Sequence, residues 1–472
     1  MRILAHILIA ALAVFIDHSS VWSLNVHLNH GHVHRDHLLN GPPSKLSDRD
    51  VPATPSILPV TIYDNRTTKT PKLTAYIKGK QPDTRQEVML QNLKGSTTEN
   101  PATYWWPPSI QTTGKLTTRN SIRALKTSEL PVSLEFDDGA DAMSFVMPTL
   151  VSARLVISEQ DLDFFPQGTT EITDPDPENA SNLASNRTWG FIEYNYDIPS
   201  PANNYTSDGI TINPSFVDWV SLPVGFRLTY IGSDGIETKW EVGGPLPGAL
   251  KSICDALEEA GGFWPNLCPK REDGQWARVT SPNKYQSLHG NVDGINDYYD
   301  DYVNQVWEKY SMQTLIVDSQ DNGHHKNFTD GTLYSCNVRD ELLWCRASNN
   351  MTQPVYNFAK PTSGDIWGCN SGPFANIAST DDGQKEIYPR ICAAFTRSTL
   401  LRDGIQPRDF DTSQYYVDEP INYYSKEVHE NLQGNIGYTF SFDDVAKNTT
   451  EARSGVISTK SPILLEVYVN DA

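Results

Sequence analysis

Trp189-Gly-Phe-Ile-Glu-Tyr-Asn-Tyr196 is rich in aromatic and β-branched residues, and its alternation reads as a strand. Side chains two apart share a face, so Phe191, Glu193 and Asn195 fall on one side and Ile192, Tyr194 and Tyr196 on the other. Working outward, residues 57–63, 73–77, 131–136, 144–147, 154–158, 216–220 and 226–231 are short, rich in Val, Ile, Phe and Tyr, and separated by Gly, Pro, Asp and Asn. The alternation at 73–77 predicts a half-buried strand. Many short strands at such spacing predict a β-sandwich or barrel.

The period changes after Gly244. Residues 247–260 carry Ile253 and Leu257 at helical spacing, and 295–312 carry Tyr299, Val303 and Val306. Two further helices are expected at 384–401, interrupted early by Pro389, and at 422–432, ending near Gly434. Residues 463–469 form a last strand that should return to one of the sheets. The expected organisation is a mainly β lobe over about 56–243, a mixed α/β lobe over about 244–435 and C-terminal strands over about 436–472. No repeat of fixed period, Gly-x-Gly-x-x-Gly turn or P-loop is present, so solenoid architecture and nucleotide chemistry have no support.

The apolar run 3–16 follows Arg2 and precedes Ser19, Ser20 and Ser23, the pattern of a cleaved signal peptide over 1–23. It is shorter than the roughly 20 residues that span a bilayer, so a soluble, secreted protein with no membrane partner is expected. Residues 24–55, with His27, His30, His32, His34 and His37, lack hydrophobic periodicity and read as a flexible leader. The whole chain has 38 Lys and Arg against 58 Asp and Glu, a formal charge of −20, which opposes nucleic-acid binding. Secretion makes the six cysteines, Cys254, Cys268, Cys336, Cys345, Cys369 and Cys392, candidates for disulfides. Of the connectivities open to six cysteines, nearest-neighbour pairing closes the shortest loops and is the one expected. Seven Asn-x-Ser/Thr sequons, at Asn65, Asn179, Asn186, Asn204, Asn327, Asn350 and Asn448, agree with secretion and point to a eukaryotic source.

Among hydrolase chemistries, no Gly-x-Ser-x-Gly elbow and no His-Glu-x-x-His motif appears, which leaves a carboxylate pair. Glu193 stands among aromatics on its strand, where burial raises a carboxyl pKa toward that of a general acid. Asp218, in Phe216-Val-Asp-Trp-Val220, is again a single carboxylate in an apolar, strand-like run. An edge or salt-bridged structural acid is the alternative at each position.

Several segments together resemble glycoside hydrolase family 64, in a secreted, fungal-type form. They are Phe358-Ala-Lys-Pro-Thr-Ser-Gly-Asp-Ile-Trp-Gly-Cys-Asn-Ser-Gly-Pro-Phe374, Ala393-Ala-Phe-Thr-Arg-Ser-Thr-Leu-Leu401 and Asn422-Tyr-Tyr-Ser-Lys-Glu-Val-His-Glu430, with Gly437-Tyr-Thr-Phe440 and Asp443-Asp444 after them. Arg278-Val-Thr-Ser-Pro282 and Val306-Trp-Glu-Lys-Tyr310 add to the likeness. The resemblance implies a thaumatin-like β-barrel or sandwich lobe and a mixed α/β lobe that form a wide groove. It also implies inverting endo-hydrolysis of β-1,3-glucan, with Glu193 as acid and Asp218 as base. Asn195, Asp197 and Ser215 fall where the family places sugar-binding polar residues. Trp105, Trp106 and Trp219 are candidates to stack on glucose, with a core role open for each. No cofactor or metal is required, and a monomer, secreted and open to association with the cell wall, is expected. The chain departs from the family pattern in a Pro- and Asn-rich insertion at 198–207 and in lacking an aromatic near Thr211. The rival expectation is a thaumatin-like glucan-binding or antifungal module without chemistry.

Overall fold

The computed structural model describes residues 55–105, 133–167, 171–177, 179, 182–198, 209–271, 273–290, 292–320, 332–348, 355–375, 382–447 and 452–471. The signal peptide, all but the last residue of the leader, Trp106, the insertion after 198, and Asn204, Asn327, Asn350 and Asn448 lie outside them. Asn65, Asn179 and Asn186 are exposed.

Two sheets make up the β part. The five-stranded sheet runs β14 (Glu237–Val242), β13 (Val224–Ile231), β22 (Pro462–Val469), β1 (Ile57–Asp64), β6 (Ala142–Pro148). The larger sheet runs β21 (Ile457–Thr459), β11 (Gly209–Pro214), β10 (Trp189–Asp197), β7 (Leu150–Glu159), β2 (Leu73–Lys80), β3 (Glu87–Gln91), β4 (Thr103–Trp105), with β5 (Leu134–Glu135) also on β2. The expected return of the last strand is seen, since β22 pairs parallel with β1, Val60 opposite Leu465. β1 shows why the sheets stack. Its alternate residues Leu58, Val60 and Ile62 are fully buried, each contributing about 1.5–3 kcal/mol, and they share one core with Ala75, Ile77, Leu155, Ile157 and Ile192 of the larger sheet. The arrangement is an open sandwich and not a closed barrel. No ladder joins the two sheets among the described residues.

Two other strand expectations need correction. β2 is buried on both faces, because it lies mid-sheet and its outward Tyr76 is covered by Phe164 and Leu162. Of residues 216–220 only Trp219–Val220 is a strand (β12), paired with β15 (Val279–Thr280). The preceding residues are pulled out of the sheet, since Phe216 N–H donates to the Tyr438 carbonyl and Tyr438 N–H to that of Pro214, at 2.7 and 3.0 Å.

A second core lies over helices and a third sheet, β19 (Val355–Ala359), β18 (Leu342–Ala347), β17 (Leu333–Arg339), β16 (Leu315–Asp318), β20 (Ile405–Gln406). A small hairpin, β8 (Phe165–Gln167) with β9 (Glu171–Thr173), stands apart. The helices are α1 (Ala249–Ala260), α2 (Pro282–His289), α3 (Asp300–Met312), α4 (Ser363–Gly368), α5 (Asp382–Thr396) and α6 (Tyr423–Glu430). Gly244 turns the chain toward α1 with φ +73°, and a Cβ there would come within 2.4 Å of the Val224 carbonyl oxygen. α3 starts later than its apolar pattern suggested, with Asp300 and Asp301 in its first turn, where carboxylates favour the helix dipole. Pro389 does not break α5. It removes one N–H bond, while buried Ile391, Ala394 and Phe395 and the Cys369–Cys392 disulfide hold the helix beyond it.

All three disulfides pair nearest neighbours: Cys254–Cys268, Cys336–Cys345 and Cys369–Cys392, with Cα separations of 5.8, 4.0 and 5.9 Å. Replacing Cys254 and Cys268 by Ser should cost about 3 kcal/mol through the freed loop, read as a lowered thermal midpoint. An unchanged midpoint would show that α1 needs no tether.

Candidate active site

The period of β10 decides which side chains meet. Ile192, Tyr194 and Tyr196 enter the sandwich core, so Glu193 stands on the outer face, with Asn213 of β11 opposite on one side and Arg154 of β7 on the other. Lys78 of β2, Met89 of β3 and Trp105 of β4 continue the row. Glu193 and Asp218, 25 residues apart in the chain, are brought together by Arg154. Its Nε and Nη2 donate to Glu193 Oε1 at 3.0 and 2.8 Å, and Nη2 lies 3.4 Å from Asp218 Oδ2. Nη1 faces Asp174 Oδ2 at 3.4 Å, and Lys78 Nζ is 2.9 Å from Asp174 Oδ1. The guanidinium also lies over the Phe191 ring, 4.3 Å from its centre.

Asp218 is held by its backbone. The Ser281 N–H donates to its carbonyl at 2.9 Å, and the Tyr424 hydroxyl donates to the carbonyl of Phe216. Its side chain thus projects from a bend fixed at both ends. The Asp218 side chain is 19% exposed and that of Glu193 6%, so water reaches Asp218 more readily. Burial pushes the Glu193 pKa above the usual carboxylate range, and Asp218 adds to this; Arg154 and the Ser215 hydroxyl oppose it without reversing it. Burial wins because the charge of Arg154 is divided among three carboxylates. The two contacts at Nη2, 2.8 and 3.4 Å, bound the separation of Glu193 Oε1 and Asp218 Oδ2 at about 6.2 Å, their sum. That ceiling, for one oxygen of each carboxyl, lies above the retaining spacing of about 5–5.5 Å and just below the inverting spacing of about 6.5–9.5 Å.

The other expected residues divide. Ser215 is buried beside Glu193. Asn195 shares the Glu193 face, and its Oδ1 accepts from the Ser152 N–H at 2.6 Å, at a bulge where the β10–β7 register shifts. Asp197 is buried and caps the Ile198 N–H at 2.8 Å. Trp219 is not a stacking platform in this structure. It is 4% exposed, its ring centre is 4.5 Å from that of Trp189 and 5.3 Å from that of Phe191, and its Nε1–H points to the Trp189 carbonyl. Trp105 keeps partial exposure at the far end of the row.

The profile of the β-1,3-glucanases of glycoside hydrolase family 64 matches residues 56–469. The chain belongs to this family. Two glucan endo-1,3-beta-glucosidases are 27% and 26% identical over 284 residues, one from Arthrobacter sp. (strain YCWD3) and one from Cellulosimicrobium cellulans. Each match covers 60% of this chain and 46% of the relative, so the chain spans less than half the length of those relatives. Among solved structures, a laminaripentaose-producing β-1,3-glucanase in complex with laminaritetraose superposes with TM-score 0.69 at 20% identity, covering 88% of this chain and 99% of the other. A β-1,3-glucanase domain from Clostridium beijerinckii gives 0.62 at 18%, covering 89% and 99%. These likenesses establish the family 64 fold. Arthrobacter, Cellulosimicrobium and Clostridium are bacteria, so the match carries no fungal assignment.

In this family 64 member, three residues of the site escaped the sequence reading: Arg154, Lys78 and Asp174. Arg154 had a signal, as a lone cation at an outward position of Ala153-Arg-Leu-Val-Ile157, where an unpaired charge would be costly. Lys78 is of the same kind. Asp174 follows a hairpin and had none.

Proposed function

We propose that the chain is a secreted endo-β-1,3-glucanase in which Glu193 protonates the leaving glycosidic oxygen and Asp218 activates the attacking water, with inversion at the anomeric carbon. The observation that carries this reading is the convergence of the two carboxyls on Arg154, with the buried Glu193 inclined to keep a proton and Asp218 open to water. An acid and a base in unlike environments are what single displacement requires. The glucan would pass the Asp218 side of the outer sheet face, with Asn195 and Ser215 near the cleaved bond and Trp105 about four strand spacings, or ~19 Å, from Glu193. Neither proton transfer calls for a metal or organic cofactor.

Secretion is supported by the three disulfides; no helix among the described residues is long and apolar enough to cross a membrane. The seven sequons support a eukaryotic source. The deciding experiment is proton NMR on the products of a soluble β-1,3-glucan. New reducing ends should appear first in the α configuration. Ends appearing first as β would replace inversion by retention, and binding without cleavage would make the chain a glucan-binding module.

A further inference from the structure

The outer-face cluster holds more acids than bases. Around Arg154 and Lys78 stand four carboxylates: Glu193 from β10, Asp218 from the bend after β11, Asp174 from the segment after β9, and Glu87 from β3, with Glu87 Oε2 3.8 Å from Lys78 Nζ. Lys284 of α2 also bears on Asp174, and the buried Tyr438 ring lies within electrostatic range of Glu193. Asp174 is the member that touches both cations of the row, with its side chain 10% exposed. It occupies Nη1 of Arg154, the edge of the guanidinium turned away from Glu193.

We propose that Asp174 is a positioning residue for the acid. By drawing Arg154 and Lys78 to itself, it limits how far their positive charge stabilises ionised Glu193, and so keeps a proton on that carboxyl. The inference rests on the role of Glu193 proposed above. Three cations, Arg154, Lys78 and the Lys284 that bears on Asp174, still fall one short of four carboxylates, and the shortfall falls on the most desolvated of them. Asp174 contributes one of the negative charges and also spends part of the field of Arg154.

The sign of the test follows. In Asp174→Asn the shape is kept and one negative charge is lost, so Glu193 ionises more readily and the alkaline limb of kcat/KM on soluble β-1,3-glucan moves to lower pH, by on the order of one unit. In Lys78→Gln a cation is lost and the same limb moves to higher pH. Asp174→Glu should return it toward the wild-type position. A residue that served only to hold the fold would lower activity at every pH and leave the limb in place. Opposite movements in the two variants support the proposal; limbs that superimpose on wild type in both overturn it. Glu193→Gln, assayed alongside, separates the two claims. If that variant is inactive and the limbs do not move, only the role of Asp174 falls, whereas an active Glu193→Gln removes the acid itself and this inference with it.

Discussion

Glu193→Gln is expected to lower kcat on soluble β-1,3-glucan by at least about 10²-fold, the usual worth of a general acid. Glutamine keeps the volume of the side chain and an oxygen for Arg154, but has no proton of the required acidity. The loss should shrink on an aryl glucoside with a good leaving group, which departs without protonation. Asp218→Asn should lose as much on both substrates, because water must be activated whatever departs. This contrast assigns the two roles, where a single loss of activity would not. Glucan turnover near wild type in Glu193→Gln, with the fold intact by thermal melting, would remove the assignment.

Asp443→Ala is expected to cost about 3–5 kcal/mol of stability, the range for leaving a buried charge without its partner. The Asp443 carboxylate accepts from Arg397 Nη2 at 3.1 Å and from the Thr439 N–H and hydroxyl at 2.9 and 2.8 Å, and it faces His429 Nε2 at 2.9 Å. These contacts tie the segment after Tyr438 to α5 and α6, and that segment anchors the bend carrying Asp218. Burial alone would raise the pKa of Asp443; His429, Arg397 and the Thr439 N–H outweigh it and hold the group at about 2. A carboxyl depressed in the folded state contributes stability above its unfolded pKa, near 3.8, and loses it as pH falls through about 2, a term of order 2 kcal/mol. The wild type should therefore lose part of its thermal midpoint between about pH 4 and pH 2, and the variant should lack that component. A variant that melts with wild type at neutral pH would show the network to be dispensable.

Much of this molecule is legible locally. A strand declares itself in β10 because side chains two apart share a face, and that rule places Glu193 and Asn195 on a common face with no knowledge of the partner strands. The apolar spacing in α3, the change of period after Gly244 and the even set of cysteines are likewise properties of neighbouring residues. The family resemblance, carried by segments such as 358–374, pointed to Glu193 and Asp218 as a pair.

Tertiary structure alone decided the rest. Whether the sheets close into a barrel depends on ladders between strands distant in the chain, and here they remain open. Asp218 was read into a strand because Phe, Val and Trp surround it, yet long-range hydrogen bonds to Tyr438 take those residues out of the sheet. Trp219 has the same local chemistry whether it faces a sugar or a core; packing against Trp189 and Phe191 made it core. The cluster that sets the acid joins side chains from β2, β7, β10 and two loops. Register across three strands and the placement of two loops, and not spacing within any one of them, bring Lys78, Arg154, Asp174, Glu193 and Asp218 into one cluster.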